Sequence, residues 1–143
     1  MANEVRVNAS LAINKPTANQ NYQALPSAFR ADMTGSKGPL PGAVTIPVIG
    51  ADIDLSGLTS LGGFCRIMNI DTVNYVTYGI KDTGTNTFYP LGEMQPGETF
   101  IIRLSRKLGK DEVGTGTFSG STAHLHMKAD TGPCVVKVEA FDP

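Results

Sequence analysis

At 143 residues the chain is long enough for one domain with a single hydrophobic core. Twelve Lys and Arg stand against 13 Asp and Glu, for a formal net charge of −1. That balance lacks the basic excess that holds phosphate backbones, so nucleic acid is not an expected partner. Cys65 and Cys134, the two cysteines, are too far apart in sequence to make a disulfide framework or a metal-ligand spacing. No apolar run approaches the ~18 residues of a membrane span, and the N-terminus has no signal-peptide core, so no membrane partner is expected and the chain reads as made in a cytoplasm.

Residues 4–13 alternate, with Val5, Val7, Ala9, Leu11 and Ile13 on one side and Glu4, Arg6, Asn8, Ser10 and Ala12 on the other. A period of two predicts a half-buried strand. Residues 14–43 break that pattern, with Pro16, Pro26, Pro39, Pro41 and three glycines among polar residues. About thirty residues without periodicity exceed the roughly 12–15 of an ordinary connection. Tyr22, Leu25, Phe29 and Met33 are apolar anchors that a solvated linker would not need. Residues 1–43 therefore read as an N-terminal strand and extended arm, too long for a hairpin. Val5, Val7, Leu11, Tyr22, Leu25, Phe29 and Met33 are its candidate partner-binding residues.

Residues 44–143 read as strands and turns. Val44–Ile49 is β-branched, and Pro47 marks it as an edge. Phe64–Ile70 and Tyr75–Ile80 follow, then the turn signal Asp82-Thr83-Gly84-Thr85-Asn86. Thr87–Met94 contains Pro90, and Pro96-Gly97 occupies type II turn positions. Thr99–Ser105 places Phe100, Ile102 and Leu104 on one face. A Gly, Ser and Thr-rich stretch at 109–122 precedes His124–Ala129, where Leu125, Met127 and Ala129 point inward. Cys134–Phe141 ends the pattern with Val136, Val138 and Ala140 inward. Short strands every 8–12 residues or so predict an all-β sandwich or barrel. A jelly-roll-like antiparallel β-sandwich is the first expectation and an immunoglobulin-like one the second.

Chemistry-bearing patterns are sparse. His124 and His126 share one strand face, and with Asp130 they echo the His-x-His motif of the cupin enzymes. Gly84, Pro90-Leu91-Gly92 and Gln95 echo the second cupin motif. The motif order is reversed, Gln95 stands where a histidine is needed, and a catalytic zinc site wants three protein ligands. If Leu125 and Met127 are core, both histidines face outward as surface residues. Gly116-Thr117-Phe118-Ser119-Gly120 lacks the spacing of a nucleophile elbow. Asp52 and Asp54 fit a solvated strand edge better than a catalytic pair. The run Arg103, Arg106, Lys107 and Lys110 leads directly into Asp111 and Glu112, as mixed-sign surface runs do. No catalytic residue, metal site or cofactor is expected.

The run Gly63-Phe64-Cys65-Arg66-Ile67-Met68-Asn69-Ile70-Asp71-Thr72-Val73-Asn74-Tyr75-Val76-Thr77-Tyr78-Gly79 resembles a pattern in which an apolar strand leads into an N-x-D-x-x-N-Y/F-V-x-x-G hairpin. Leu91, followed by Met94-Gln95-Pro96-Gly97-Glu98, resembles its later L-x-P-G-E turn. Over roughly residues 51–142 the chain resembles the head-decoration or cement proteins of tailed bacteriophages, and their related neck and tail adaptors. The resemblance implies a non-enzymatic protein on the outer surface of the capsid, made in the host cytoplasm. Its expected partners are the major capsid protein and itself, as a homotrimer or other closed ring. The alternatives are a neck or tail adaptor and a carbohydrate-binding module of a tail fibre. Tyr75, Tyr78, Phe88 and Tyr89 form the local aromatic cluster such a module would need.

Overall fold

The computed structural model describes residues 5–15, 20–25, 27–106, 108 and 123–143. The stretch 109–122, with Ser119, and the charges of Lys107, Lys110, Asp111 and Glu112 lie outside the described residues. The chain forms two compact units, Met1–Thr34 and Gly35–Pro143. The division falls before the expected end of the arm at residue 43, and residues 35–43 lie with the second unit.

The first unit is a β-ribbon, which corrects the expectation of one strand followed by an arm too long for a hairpin. Its strands are β1 (Val5–Ala9), β2 (Ala12–Lys15), β3 (Gln20–Gln23) and β4 (Ser27–Ala31). β1 pairs with β4 and β2 with β3, both antiparallel. The predicted strand is interrupted at Ser10 and Leu11, where the Ala24 N–H donates to the Leu11 carbonyl at 2.8 Å. Between the pairs Ala9↔Ser27 and Ala12↔Gln23, the return strand carries one residue more than the outgoing one. This is a bulge, and it shifts the phase of alternation. Phe29 stands opposite Val7 and Tyr22 opposite Ile13, although Tyr22 and Phe29 differ in parity. The extra residue thereby keeps the apolar side chains of both strands on the face defined by Val5, Val7 and Ile13.

The second unit holds the eight remaining strands. They are β5 (Leu40–Ile46), β6 (Ala51–Asp52), β7 (Phe64–Asn69), β8 (Val76–Asp82), β9 (Thr87–Met94), β10 (Thr99–Arg103), β11 (Ala123–Ala129) and β12 (Cys134–Ala140). Sheet 1 has the order β10-β7-β12-β5 and sheet 2 the order β6-β11-β8-β9. β5 pairs β12, β6 pairs β11, β7 pairs β10 and β8 pairs β9, so first meets eighth, second seventh, third sixth and fourth fifth. One long antiparallel hairpin rolled over itself in this way is the jelly roll.

The core lies between the two sheets. Alternate residues of β7 (Cys65, Ile67), β12 (Cys134, Val136, Val138, Ala140) and β11 (Leu125, Met127, Ala129) face it, with Ile46, Val76 and Met94 from β5, β8 and β9. A fully buried side chain of the Val, Ile or Met kind contributes about 1.5–3 kcal/mol. Cys65 stands opposite Ala140, six residues along β12 from Cys134. At about 3.4 Å per residue the two are ~20 Å apart, far beyond disulfide reach, and both are free thiols.

Connectivity sorts the loops. The crossings at 47–50, 70–75, 95–98 and 130–133 gather at one end of the sandwich. Gly35 and the C-terminus lie at the other, where the Gly35 N–H donates to the Pro143 carbonyl at 2.9 Å. Buried Asp142 fastens that end by accepting the backbone N–H groups of Ser36, Lys37 and Thr59 at 3.2, 3.1 and 2.8 Å. Burial pushes its carboxyl upward, but the Lys37, Thr59 and Ser60 donors together outweigh this and hold it below the ordinary aspartate value.

Candidate functional site

The ribbon carries all seven expected partner-binding residues, and none of its described residues is fully buried. Val5 and Val7 on β1 and Met33 after β4 are half-buried, while Leu11, Tyr22 and Phe29 are about half exposed. Leu25, beside the bulge, is 90% exposed. Ile13, opposite Tyr22, is also exposed and joins the set. An isolated two-stranded ribbon is at best marginally stable in water, and one that exposes five large apolar side chains has a face to cover.

The histidine pair of the body is resolved into unequal members. Both residues lie on β11 with their side chains on the outer face of sheet 2, as the inward Leu125 and Met127 require. His126 is nevertheless only 4% exposed, which corrects the expectation of two surface histidines. Its partner across β8 is Gly79. With no side chain there, the ring of Phe88 on β9 closes to 4.9 Å from the His126 ring. His126 Nδ1 lies 2.6 Å from Asp52 Oδ1. Its Nε2 is covered by Gly50, where even a methyl group would collide with it. A general base needs a nitrogen that a substrate can reach, and this one is closed, so the His–Asp pair ties β6 to β11. Among the described residues no three His, Cys, Asp or Glu side chains converge to hold a metal ion.

An open groove of about 490 Å³ runs between residues 52–61, Leu108 and the start of β11, lined in part by Asp52, Asp54, Leu55, Leu61 and His124. Its carboxylates are engaged. Asp52 holds His126, and Asp54 is kept below the ordinary aspartate range by the Ser56 hydroxyl and by the Ser56 N–H, which donates to it at 2.9 Å. Two rings of the aromatic cluster are engaged elsewhere: Tyr78 stacks on Phe100 across the sandwich at 4.6 Å, and the Phe88 ring lies 4.9 Å from that of His126.

Both thiols are chemically quiet. Burial pushes Cys65 to about 12 and Cys134 to about 11. A thiol nucleophile needs the opposite shift. Among the described residues no helix is long and apolar enough to cross a membrane. No known protein family, curated protein or solved structure matches the chain.

Proposed function

We propose that the chain is a bacteriophage head-decoration, or cement, protein that binds the outer capsid surface and stabilises contacts between capsid subunits. The observation that carries the reading is the coreless ribbon, with Leu11, Ile13, Tyr22, Leu25 and Phe29 exposed, on a chain whose second unit has a complete core. Apolar area removed from water is worth about 25 cal/mol per Å², and a ribbon already held in register loses less entropy on docking than a disordered arm. The ribbon therefore acts as a preformed clamp, laid on a neighbouring copy in a closed ring of three, or on the major capsid protein beneath it. Ring closure leaves no ribbon uncovered to recruit further chains. The resemblance of residues 63–79 and 91–98 to phage decoration proteins supports the setting.

The test is co-sedimentation of the full-length chain with undecorated heads, assembled from the major capsid protein of the encoding phage. The wild type should saturate the heads at a fixed ratio, and a Tyr22→Ser, Leu25→Ser, Phe29→Ser variant should stay in the supernatant. No binding by the wild type would refute the reading.

A further inference from the structure

Among the described residues, four strands end the two sheets of the body: β5 and β10 in sheet 1, β6 and β9 in sheet 2. A sheet edge presents unpaired N–H and C=O groups, and proteins that stay apart blunt such edges with proline, charge, bulges or brevity. Three edges are blunted here. β5 contains Pro41 and stops at Pro47. β6 is two residues long. β9 contains Pro90 and Glu93, and its register against β8 slips where Leu91 is inserted.

β10 carries none of these devices. Thr99-Phe100-Ile101-Ile102 has no proline and no charge, and its register against β7 is unbroken. Ile101 and Ile102 are 45% and 40% exposed. Arg103, the one charge, is turned back onto its own chain, with its guanidinium carbon 4.8 Å from the centre of the Phe64 ring. β9 and β10 lie on the same side of the sandwich, where Phe100 meets Tyr78. Tyr89 and Leu91 of β9, the edge of sheet 2 on that side, are exposed as well.

We propose that β10 pairs antiparallel with β10 of a second copy of this chain, about a two-fold axis at Ile101, so that the two first sheets join into one. The sequence of the edge selects a like strand. Centred on Ile101, the pairing sets isoleucine against isoleucine and Phe100 against Ile102, so each apolar residue meets an apolar one. Arg103 falls opposite Thr99, which keeps the two guanidinium groups four residues apart along the strands, about 13 Å. A two-fold contact of this kind is self-complementary and closes on itself. Added strands gain main-chain hydrogen bonds together with side-chain contacts, and here the β9 residues of both copies flank the seam. The inference rests on the assembling role proposed above and adds a second contact to it. With three-fold rings joined through ribbons, two-fold contacts through β10 would link ring to ring.

The experiment uses the full-length chain. Ile101→Lys should lower the mass found by sedimentation equilibrium at least two-fold, with the far-UV spectrum unchanged. Ile101→Cys reports on the register directly. Facing Cα atoms in an antiparallel pair are about 4.5–5.5 Å apart, within disulfide reach. Mild oxidation should therefore link most of that variant into dimers, while Val73→Cys, exposed in the 70–75 loop, should stay unlinked. A monomeric wild type would overturn the proposal. So would an Ile101→Lys protein of wild-type mass, or equal cross-linking at the two positions. Adding Tyr22→Ser and Phe29→Ser to the Ile101→Cys chain separates the two contacts. Cross-linking that persists in this triple variant supports the β10 seam whether or not the ribbon contact holds, and cross-linking that vanishes with the ribbon would count against a seam made by β10 itself.

Discussion

Asn69 offers the sharpest test of how the 70–75 end of the body is held. It ends β7 with no exposure at all. Its Nδ2 donates to the carbonyls of Asn74 and Met94, both at 3.0 Å. Its Oδ1 accepts the Asp71 N–H at 2.9 Å and the Cys134 thiol at 3.2 Å. One side chain thus joins β7, the 70–75 crossing, the end of β9 and the start of β12. Asn69→Ala would strand the Met94 carbonyl and the Asp71 N–H, and would leave the Asn74 carbonyl only the Cys134 thiol at 3.5 Å. Stranded buried groups cost about 1–3 kcal/mol each, so the loss from two of them should be about 2–6 kcal/mol from a total of roughly 5–15. With a urea slope of about 1–3 kcal/mol per molar, the midpoint should fall by about 2 M. Asn69→Asp keeps the shape but aims a carboxylate oxygen at two carbonyls. Burial and those carbonyls disfavour its charged form, so its folded pKa rises above the unfolded value. The penalty then grows as pH rises from the unfolded to the folded value, and is relieved below that window. Urea curves for both variants between about pH 8 and pH 5 should show the Asp variant recovering relative to Ala. A loss below about 1 kcal/mol for Asn69→Ala, or parallel pH dependence of the two, would refute the reasoning.

Three further outcomes follow from the same geometry. Because burial raises Cys65 to about 12 and Cys134 to about 11, a maleimide should label neither thiol of the folded chain at neutral pH and both after denaturation, and rapid labelling of the native protein would count against the core assignment. Asp142 is held below its ordinary value, so its contribution is full above the unfolded carboxyl value of about 3.9 and is lost as pH falls through the folded one; Asp142→Asn should flatten the acid limb of melting temperature against pH, and an unchanged limb would contradict the latch. A Cβ at Gly79 would collide with the Tyr89 carbonyl oxygen, so Gly79→Val should cost about 1–3 kcal/mol in thermal unfolding and part Phe88 from His126, and a neutral outcome would mean the rings do not meet over that glycine.

The sandwich was legible because its strands alternate cleanly. In β12 the inward residues Cys134, Val136, Val138 and Ala140 are separated by Val135, Lys137 and Glu139, and β11 shows the same period. Pro47 correctly marked β5 as an edge. The ribbon's return strand was hidden by its bulge. Tyr22 and Phe29 share a face only because one residue is inserted between β3 and β4, and a search for an unbroken period of two sees no strand there. Local pattern also had no access to which strands end the sheets. Phe100, Ile102 and Leu104 read as one inward face, but Ile102 is exposed because β10 has a neighbour on one side only. The burial of His126 depends on Gly50, Asp52 and Phe88, all distant in sequence, so alternation could give its direction and not its cover.

Polar and apolar groups of the body do different work. The short-chain polar residues of the body spend their atoms on its own backbone: Asp142 on residues 36, 37 and 59, Asp71 on Val73 and Asn74, Asp82 on Gly84, Asn69 on Asn74 and Met94. Side chains so engaged pin loops, and pinned loops hold whatever they display in one conformation. Apolar side chains are exposed as well. The large exposed apolar residues described in the body fall into two places, Tyr89, Leu91, Ile101 and Ile102 along the β9–β10 side, and Val48, Ile49, Ile70 and Val73 on the loops at one end. Apolar side chains on rigid turns lose little entropy when covered, which is the condition for a surface that binds protein at modest area. A site for chemistry needs the reverse, polar groups turned toward a substrate in a pocket that excludes water. This chain buries an apolar core between its sheets, ties its short polar side chains to its own backbone, and leaves further apolar side chains exposed at these two places.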